Sequence, residues 1–258
     1  MRSVAIIPAR MNSSRFPGKP MALLHGIPMI GHCYFRVRLC EGLEDTYVAT
    51  CDKEIYDYIV SIGGKVVMTS THHERASDRT AEAMLIIEGE MKKQIDIAVM
   101  VQGDEPMDTP SMITDALKPM LENKMIDVLN LMGEIKSQEE FEDTNIVKVV
   151  VGPDNNALYF SREPIPSRSK SSFIPRMLKQ ICVIPFRRDY LFEFNNTPET
   201  PLEKIESVDM LRVIESGKTV RMVMTNEESY SVDTKDDLEK VDHLMKDDEL
   251  MKKYIHLA

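Results

Sequence analysis

The sequence predicts an α/β protein built on a mixed, mainly parallel sheet that is flanked by helices. Short apolar runs alternate with segments of helical periodicity along most of the 258 residues, an order typical of parallel strands joined by helices. Residues 95–101 are almost continuously apolar, as expected for a strand covered on both faces. A turn-rich stretch between two later strands adds an antiparallel pair and makes the predicted sheet mixed.

The first half of the chain carries the regular alternation. Its predicted strands are residues 4–7, 46–49, 65–68 and 95–101, and its predicted helices are residues 29–39, 53–62, 77–88 and 111–122. Gly63 and Gly64 end the second of these helices. Thr109 followed by Pro110 begins the fourth, because threonine is a good N-cap and proline fits the first helical position.

The second half of the chain is less regular. Its predicted strands are residues 128–132, 146–151, 157–160, 178–184 and 220–224, and its predicted helices are residues 202–216 and 234–245. Residues 152–156 form a concentrated turn signal, so the strands on either side are predicted to pair as an antiparallel hairpin. Residues 167–175 are polar, basic and bounded by proline, which predicts a mobile loop.

Composition restricts the location and the partners of the protein. A net charge of −10 argues against binding nucleic acid or an anionic membrane, because those partners need positive surface. No apolar run approaches the roughly 20 residues of a membrane helix. The four cysteines, Cys33, Cys40, Cys51 and Cys182, show no CxxC spacing and fit a reducing compartment. We therefore expect a cytoplasmic protein that holds any anionic ligand locally.

Three cations follow the first predicted strand and indicate a phosphate site. Arg10 and Arg15 offer paired N–H donors to phosphate oxygens, and Lys19 supplies a point charge. Small residues in the same loop, Ser13, Ser14 and Gly18, allow backbone N–H groups to approach a ligand. The loop lacks the GxxxxGK[ST] pattern of a Walker A motif. The alternative is that these cations are only solvated surface charges.

Two aspartates after strand-like segments are candidate magnesium ligands. Asp104 follows the most apolar strand, and Asp233 precedes the threonine cap of the last predicted helix. Mg²⁺ prefers one or two carboxylates together with phosphate oxygens and water. The alternative for Asp104 is an ordinary turn residue. Asp236 and Asp237 instead lie in the first helical turn, where acidic side chains complement the helix dipole.

Together, these cations and aspartates favour phosphoryl or nucleotidyl transfer over other chemistry. No GxSxG pattern supports serine hydrolysis. His72 and His73 lack the HExxH or cysteine partners of a zinc site, so they are interpreted as loop residues.

At several ordered points the chain resembles the cytidylyltransferases that activate 3-deoxy-manno-octulosonate (Kdo) as its CMP derivative. The resemblance covers almost the whole chain. Its markers are residues 7–10, 14–20, 48–50, 64–69, 101–106, 157–162, 201–206 and 232–234.

The resemblance implies a nucleotide-diphospho-sugar transferase (Rossmann-like) fold, a homodimer, and attack of a sugar-acid 2-hydroxyl on the α-phosphate of CTP. It implies one domain over residues 1–258, with a dimerisation and sugar-binding lobe near residues 130–217. The implied catalytic residues are Arg15, Lys19, Asp104 and Asp233, the last two holding Mg²⁺. The implied nucleotide-binding residues are Pro8, Ala9, Arg10, Ser13, Ser14, Arg15, Lys19, Arg79 and Gln102. The implied sugar-acid residues are Gln102, Arg162, Gln180 and Asp209.

Departures from the family pattern concentrate on the sugar side. Residues 75–79 keep only the end of the family's Ser-Gly-Thr-(Asp/Glu)-Arg segment, and Gln180 and Ile184 replace a histidine and a tyrosine. Met210 replaces a glutamine. The replacement of tyrosine by Ile184 and of glutamine by Met210 removes hydrogen-bonding groups. A site built on hydroxyl contacts discriminates strongly between acids when such groups change, so the predicted acid is Kdo or a Kdo-like 2-keto-3-deoxy acid. The alternatives are an acylneuraminate-type cytidylyltransferase and a non-catalytic nucleotide-binding homologue.

Overall fold

The computed structural model describes residues 1–13, 15–168 and 176–257. The strands are β1 Ser3–Ala9, β2 Leu23–Leu24, β3 Ile27–Pro28, β4 Asp45–Thr50, β5 Val66–Met68, β6 Ile97–Val101, β7 Leu129–Glu134, β8 Lys148–Val151, β9 Ala157–Ser161, β10 Leu178–Ile181, β11 Val183–Arg187 and β12 Arg221–Met224. The helices are α1 Met29–Arg38, α2 Lys53–Ser61, α3 Ala76–Met91, α4 Pro110–Glu122, α5 Gln138–Glu142, α6 Arg188–Asn196, α7 Pro201–Glu206, α8 Met210–Glu215 and α9 Lys235–Leu244. Most of the predicted loop at residues 167–175 lies outside the described residues.

The first sheet confirms the predicted α/β class. Its strand order is β11-β6-β1-β4-β5, and all pairs are parallel except β11 with β6. Strands β1 and β6 are buried along their whole length. Val4 and Ile6 pack into the core on one face of the sheet, and Ala5 and Ile7 pack into the core on the other. The continuous apolar runs therefore reflect helices on both faces.

A second sheet holds the antiparallel hairpin, which the sequence analysis had assigned to the same sheet as the parallel strands. Its order is β12-β7-β10-β8-β9. The predicted hairpin is confirmed, because β8 and β9 pair antiparallel around residues 152–156. Strand β12 runs parallel to β7. This sheet lies in the region of the predicted lobe, whose role in dimerisation and sugar binding stays a prediction.

Two segments that were each predicted as one element form two elements in the structure. Residues 178–184 form two strands rather than one, since the chain leaves the second sheet after Ile181 and enters the first at Val183. Residues 202–216 form two short helices, α7 and α8, because Ser207 takes the left-handed conformation with φ 53° and ends α7.

Three elements escaped the sequence analysis. Helix α6 has an aromatic-rich sequence of modest helix propensity, and burial of Tyr190, Leu191 and Phe194 stabilises it. Helix α5 is short and begins at Ser137, whose side chain accepts a hydrogen bond from the Glu140 N–H. The small hairpin β2–β3 is the third. Among the residues that the structure describes, every helix falls short of the length and apolarity that a bilayer span requires.

A buried polar cluster fastens the C-terminal segment to α1. The His32 ring is fully buried, with Nε2 2.8 Å from the Leu24 carbonyl and Nδ1 2.8 Å from the Tyr254 hydroxyl. A carbonyl only accepts, so Nε2 carries the proton and Nδ1 accepts from Tyr254. Burial of the ring lowers the pKa of His32 to about 4, below its ordinary value of 6.5.

We expect the free energy of unfolding to fall as the pH drops from about 6.5 towards 4. In this range the unfolded chain protonates this histidine and the folded protein does not, so protons favour unfolding. Between pH 7 and pH 5 the contribution of His32 is about 2 kcal/mol. Urea unfolding at both pH values measures it. His32→Gln, which keeps a neutral donor and acceptor, should lose less stability on acidification; an equal loss in both proteins would contradict the assignment.

Candidate active site

The loop after β1 delivers a lysine to the carboxyl edge of the first sheet. Gly18 has φ 77°, a conformation that glycine adopts without strain, and its N–H donates to the Met11 carbonyl at 2.9 Å. A 3₁₀ turn over Lys19–Met21 follows directly. The Lys19 side chain is consequently directed inward and is only 10% exposed.

Lys19 brings the two predicted metal carboxylates together. Its Nζ lies 2.6 Å from Asp104 Oδ2 and 3.2 Å from Asp233 Oδ1. Burial by itself lowers the pKa of Lys19, but the carboxylates of Asp104 and Asp233 outweigh burial and raise the pKa above 10.5. The side chain therefore stays a cation over the whole physiological pH range.

Arg15 extends this charge cluster towards the second sheet. Its Nη2 lies 2.9 Å from Asp233 Oδ1, and its Nη1 donates to Asn145 Oδ1 at 2.6 Å. Asp233 thus accepts from two cations of the same loop. The four predicted catalytic side chains, Arg15, Lys19, Asp104 and Asp233, therefore form one contiguous group, although they come from distant parts of the sequence.

Two cavities meet at this group. The smaller one, of about 310 Å³, is lined by all of the described residues predicted to bind nucleotide: Pro8, Ala9, Arg10, Ser13, Arg15, Lys19, Arg79 and Gln102. Ser14 lies outside the described residues. The larger one, of about 1030 Å³, is lined by the predicted sugar-acid residues Gln102, Arg162, Gln180 and Asp209. Gln102, Asp104 and Asp233 line both cavities, so the acidic pair lies at their junction.

Two of these side chains, Arg79 and Arg162, also donate hydrogen bonds to backbone carbonyls in the loops that line the cavities. Arg79 is buried and donates to the Ser70 and His73 carbonyls at 3.3 Å each. Arg162 was predicted to face the sugar acid, but its guanidinium donates to backbone carbonyls of Glu206 at 2.6 Å and Thr144 at 2.9 Å. Its binding role stays a prediction, and its present contacts stabilise the lining loops.

Gln180 and Asp209 are engaged by neighbours as well. Gln180 Nε2 donates to Asn130 Oδ1 at 2.6 Å. Asp209 Oδ1 accepts from Arg75 Nη1 at 2.7 Å, and Arg75 also contacts Glu199 at 2.8 Å. Burial raises the pKa of Asp209, an effect that the Arg75 charge opposes. Arg75 lines both cavities, and the sequence analysis did not predict it as a site residue. Its position in segment 75–79, which differs from the family pattern, could have indicated it.

A buried acid pair behind Asp104 was also missed. Ser229 Oγ lies 2.6 Å from Glu105 Oε2 and 2.8 Å from Asp108 Oδ1. A hydroxyl carries one proton, so it donates to one carboxyl and accepts from the other, which must be protonated. Burial raises the pKa of Glu105 and raises that of Asp108 well above its usual range. Nothing in the local sequence pairs these residues with Ser229.

Known proteins resemble this chain over nearly its full length. A family model described as cytidylyltransferase matches residues 4–221. The 3-deoxy-manno-octulosonate cytidylyltransferase of Geobacter metallireducens is 40% identical in an alignment of 251 positions that covers 93% of this chain and 96% of that protein. The chain belongs to the 3-deoxy-manno-octulosonate cytidylyltransferase family. The family predicted from the sequence motifs is therefore confirmed.

Solved structures agree with the assignment. The structure of CMP:2-keto-3-deoxy-manno-octonic acid synthetase complexed with CTP superposes with a TM-score of 0.86 at 37% identity, covering 95% of this chain and 98% of that one. A glucose-1-phosphate thymidylyltransferase from Bacillus anthracis shares the fold alone, with a TM-score of 0.66 at 13% identity over 95% of this chain and 96% of that one. The predicted nucleotidyltransferase fold is thus confirmed, and this family is supported over the acylneuraminate alternative.

The donor set suits magnesium. Asp104 and Asp233 supply hard carboxylate oxygens, and both side chains are partly exposed towards the cavities. In residues 1–13, 15–168 and 176–257, no three or more His, Cys, Asp and Glu side chains form a complete cage for a metal. Mg²⁺ is commonly held by one or two carboxylates together with substrate phosphates, so a two-carboxylate site fits it.

Proposed function

We propose that the protein transfers the cytidylyl group of CTP to a 2-keto-3-deoxy sugar acid, Kdo or a Kdo-like acid, and releases pyrophosphate. The observation that carries the proposal is the Lys19 ammonium between Asp104 and Asp233 at the junction of the smaller and the larger cavity. A transfer reaction needs both substrates to meet at such a junction.

The chemistry is a single displacement at phosphorus. The 2-hydroxyl oxygen of the acid forms a bond to the α-phosphorus of CTP, and the bond from that phosphorus to the bridging oxygen breaks. Pyrophosphate leaves with the bridging oxygen, and the hydroxyl proton passes to solvent. In our proposal Arg10, Arg15 and Lys19 bind the phosphates and stabilise the charge on departing pyrophosphate. Asp104 and Asp233 would hold Mg²⁺, which would neutralise phosphate charge when bound.

A panel of acid acceptors with CTP and Mg²⁺, followed by pyrophosphate release, tests the proposal. We expect Kdo or a Kdo-like acid to react at least about tenfold more efficiently than N-acetylneuraminate, since a hydroxyl-contacting site discriminates between such acids. Chelation of the metal should abolish release. Preference for the nine-carbon acid would favour the acylneuraminate alternative, and no release with any acid would favour a non-catalytic homologue.

The homodimer is also a proposal, supported by the family resemblance. Light scattering after size exclusion is expected to give a mass of about twice the 29.5 kDa of one chain. The cytoplasmic location stays a prediction.

A further inference from the structure

The segment that carries Asp233 has little regular structure of its own. Residues 226–233 contain no helix or strand in the described part of the chain. The segment lies against the loop that follows β6, and the Val232 N–H donates to the Asp104 carbonyl at 2.9 Å. The two candidate metal carboxylates therefore flank one backbone hydrogen bond between two loops.

A second link joins the same two loops through a side chain. The Ser229 hydroxyl bridges Glu105 Oε2 at 2.6 Å and Asp108 Oδ1 at 2.8 Å. All three residues are buried, with exposures of 9%, 6% and 1%. Buried hydrogen bonds to carboxyl groups are strong and directional, so the bridge fixes the separation of the loops.

The bridge also reaches the junction of the two sheets. Glu105 accepts a hydrogen bond from the backbone of Cys182, which lies between β10 and β11. Loop 102–108 is thereby anchored on one side, and Ser229 ties the more irregular segment to that anchor. Loss of the hydroxyl would leave the hydrogen bond from the Val232 N–H to the Asp104 carbonyl to join the two loops.

We propose that Ser229 is a positioning residue that sets the placement of Asp233 relative to Asp104 for metal binding. The inference rests on the proposed function, because it takes these carboxylates as the metal ligands. Ser229 touches neither carboxylate side chain and acts through the loops. Loss of partners that orient ligands in this way commonly weakens metal affinity by about 10–100-fold.

The test measures Mn²⁺ binding by electron paramagnetic resonance with CTP present and the sugar acid absent. Ser229→Ala is expected to weaken Mn²⁺ binding about tenfold. Phe194→Leu, a core substitution in α6, serves as the control that lowers unfolding free energy without touching either loop, and its Mn²⁺ affinity should be unchanged. Asp108→Asn, whose amide can still donate to the hydroxyl or accept from it, should bind Mn²⁺ like the wild type, whereas Asp108→Ala should bind more weakly.

Each result decides the matter. Weaker Mn²⁺ binding in Ser229→Ala with normal Mn²⁺ binding in Phe194→Leu supports the inference. If Ser229→Ala does not fold, the Mn²⁺ affinities of Asp108→Ala and Asp108→Asn are compared instead, and weaker binding in Asp108→Ala alone supports the inference. Equal Mn²⁺ affinity in wild type, Ser229→Ala and Asp108→Ala would overturn the inference alone. Absence of Mn²⁺ binding in the wild type would overturn it together with the proposed metal role.

Discussion

Asp104→Asn is expected to lower kcat by about a thousandfold, because it removes one of two carboxylates from the junction where the proposed transfer occurs. Asparagine keeps an oxygen that can accept from Lys19, and the Asp104 side chain is 30% exposed. The fold should therefore lose no more than about 1 kcal/mol. Steady-state pyrophosphate release and thermal unfolding measure the two effects separately.

Asp45→Asn is the matched control for this substitution. Asp45 also pairs with a lysine, Lys65, but it begins β4 and so lies at the opposite edge of the first sheet. Because Asp45 lines neither cavity, its loss should leave kcat within about twofold, and the free energy of unfolding should change by less than about 1 kcal/mol. If Asp104→Asn lost stability and turnover to the same extent, a structural role for Asp104 would replace the catalytic one.

The meeting of Lys19 with Asp104 could be predicted because it follows from topology, whereas Asp233 comes from the irregular segment 226–233, whose placement depends on tertiary contacts. Lys19 is 85 residues from Asp104 and 214 from Asp233 in sequence. The loops that carry Lys19 and Asp104 follow β1 and β6, which are parallel neighbours, so their carboxyl ends share one edge. Hydrophobic periodicity is enough to find such strands, and residue chemistry is enough to single out the cations and acids beyond them.

The remaining features depend on tertiary contacts that local patterns do not encode. Residues 178–184 have the composition of one strand, and only the positions of two sheets decide that the chain changes partner at Cys182. The Arg162 guanidinium donates to backbone carbonyls, and because every residue has a carbonyl, the sequence does not indicate which ones it contacts. Ser229 finds two acids more than a hundred residues away. Sequence motifs therefore identified the candidate ligand-binding residues, but they did not identify the contacts that position those residues.

The second large effect concerns stability, at a buried ion pair between α7 and α8. Arg212 Nε and Nη2 donate to Glu203 at 2.8 and 2.5 Å, and the two side chains are 5% and 0% exposed. The guanidinium also donates to the Phe194 carbonyl at 3.1 Å and lies 4.4 Å from the centre of that ring. The pair thus joins α6, α7 and α8.

Arg212→Met is expected to lower the free energy of unfolding by about 4 kcal/mol, since it removes both guanidinium hydrogen bonds from a buried carboxylate and leaves Arg75, at 3.8 Å, as the nearest cation. Arg2→Met, which removes a surface pair with Glu44, is the control and should cost less than about 1 kcal/mol. Adding Glu203→Gln to Arg212→Met removes the unpaired charge and should recover about half of the loss. Urea unfolding measures all three, and similar losses in Arg212→Met and Arg2→Met would contradict the argument.

Arg212→Met should also disturb the wall of the larger cavity. Glu203 also lies 3.8 Å from Arg75, which holds Asp209 at the cavity wall, and Ser207 and Val208 between the two helices line that cavity. Disorder of the α7–α8 turn in Arg212→Met should therefore raise KM for the sugar acid more than KM for CTP. Equal changes in both KM values would indicate that the pair supports the whole fold rather than this wall.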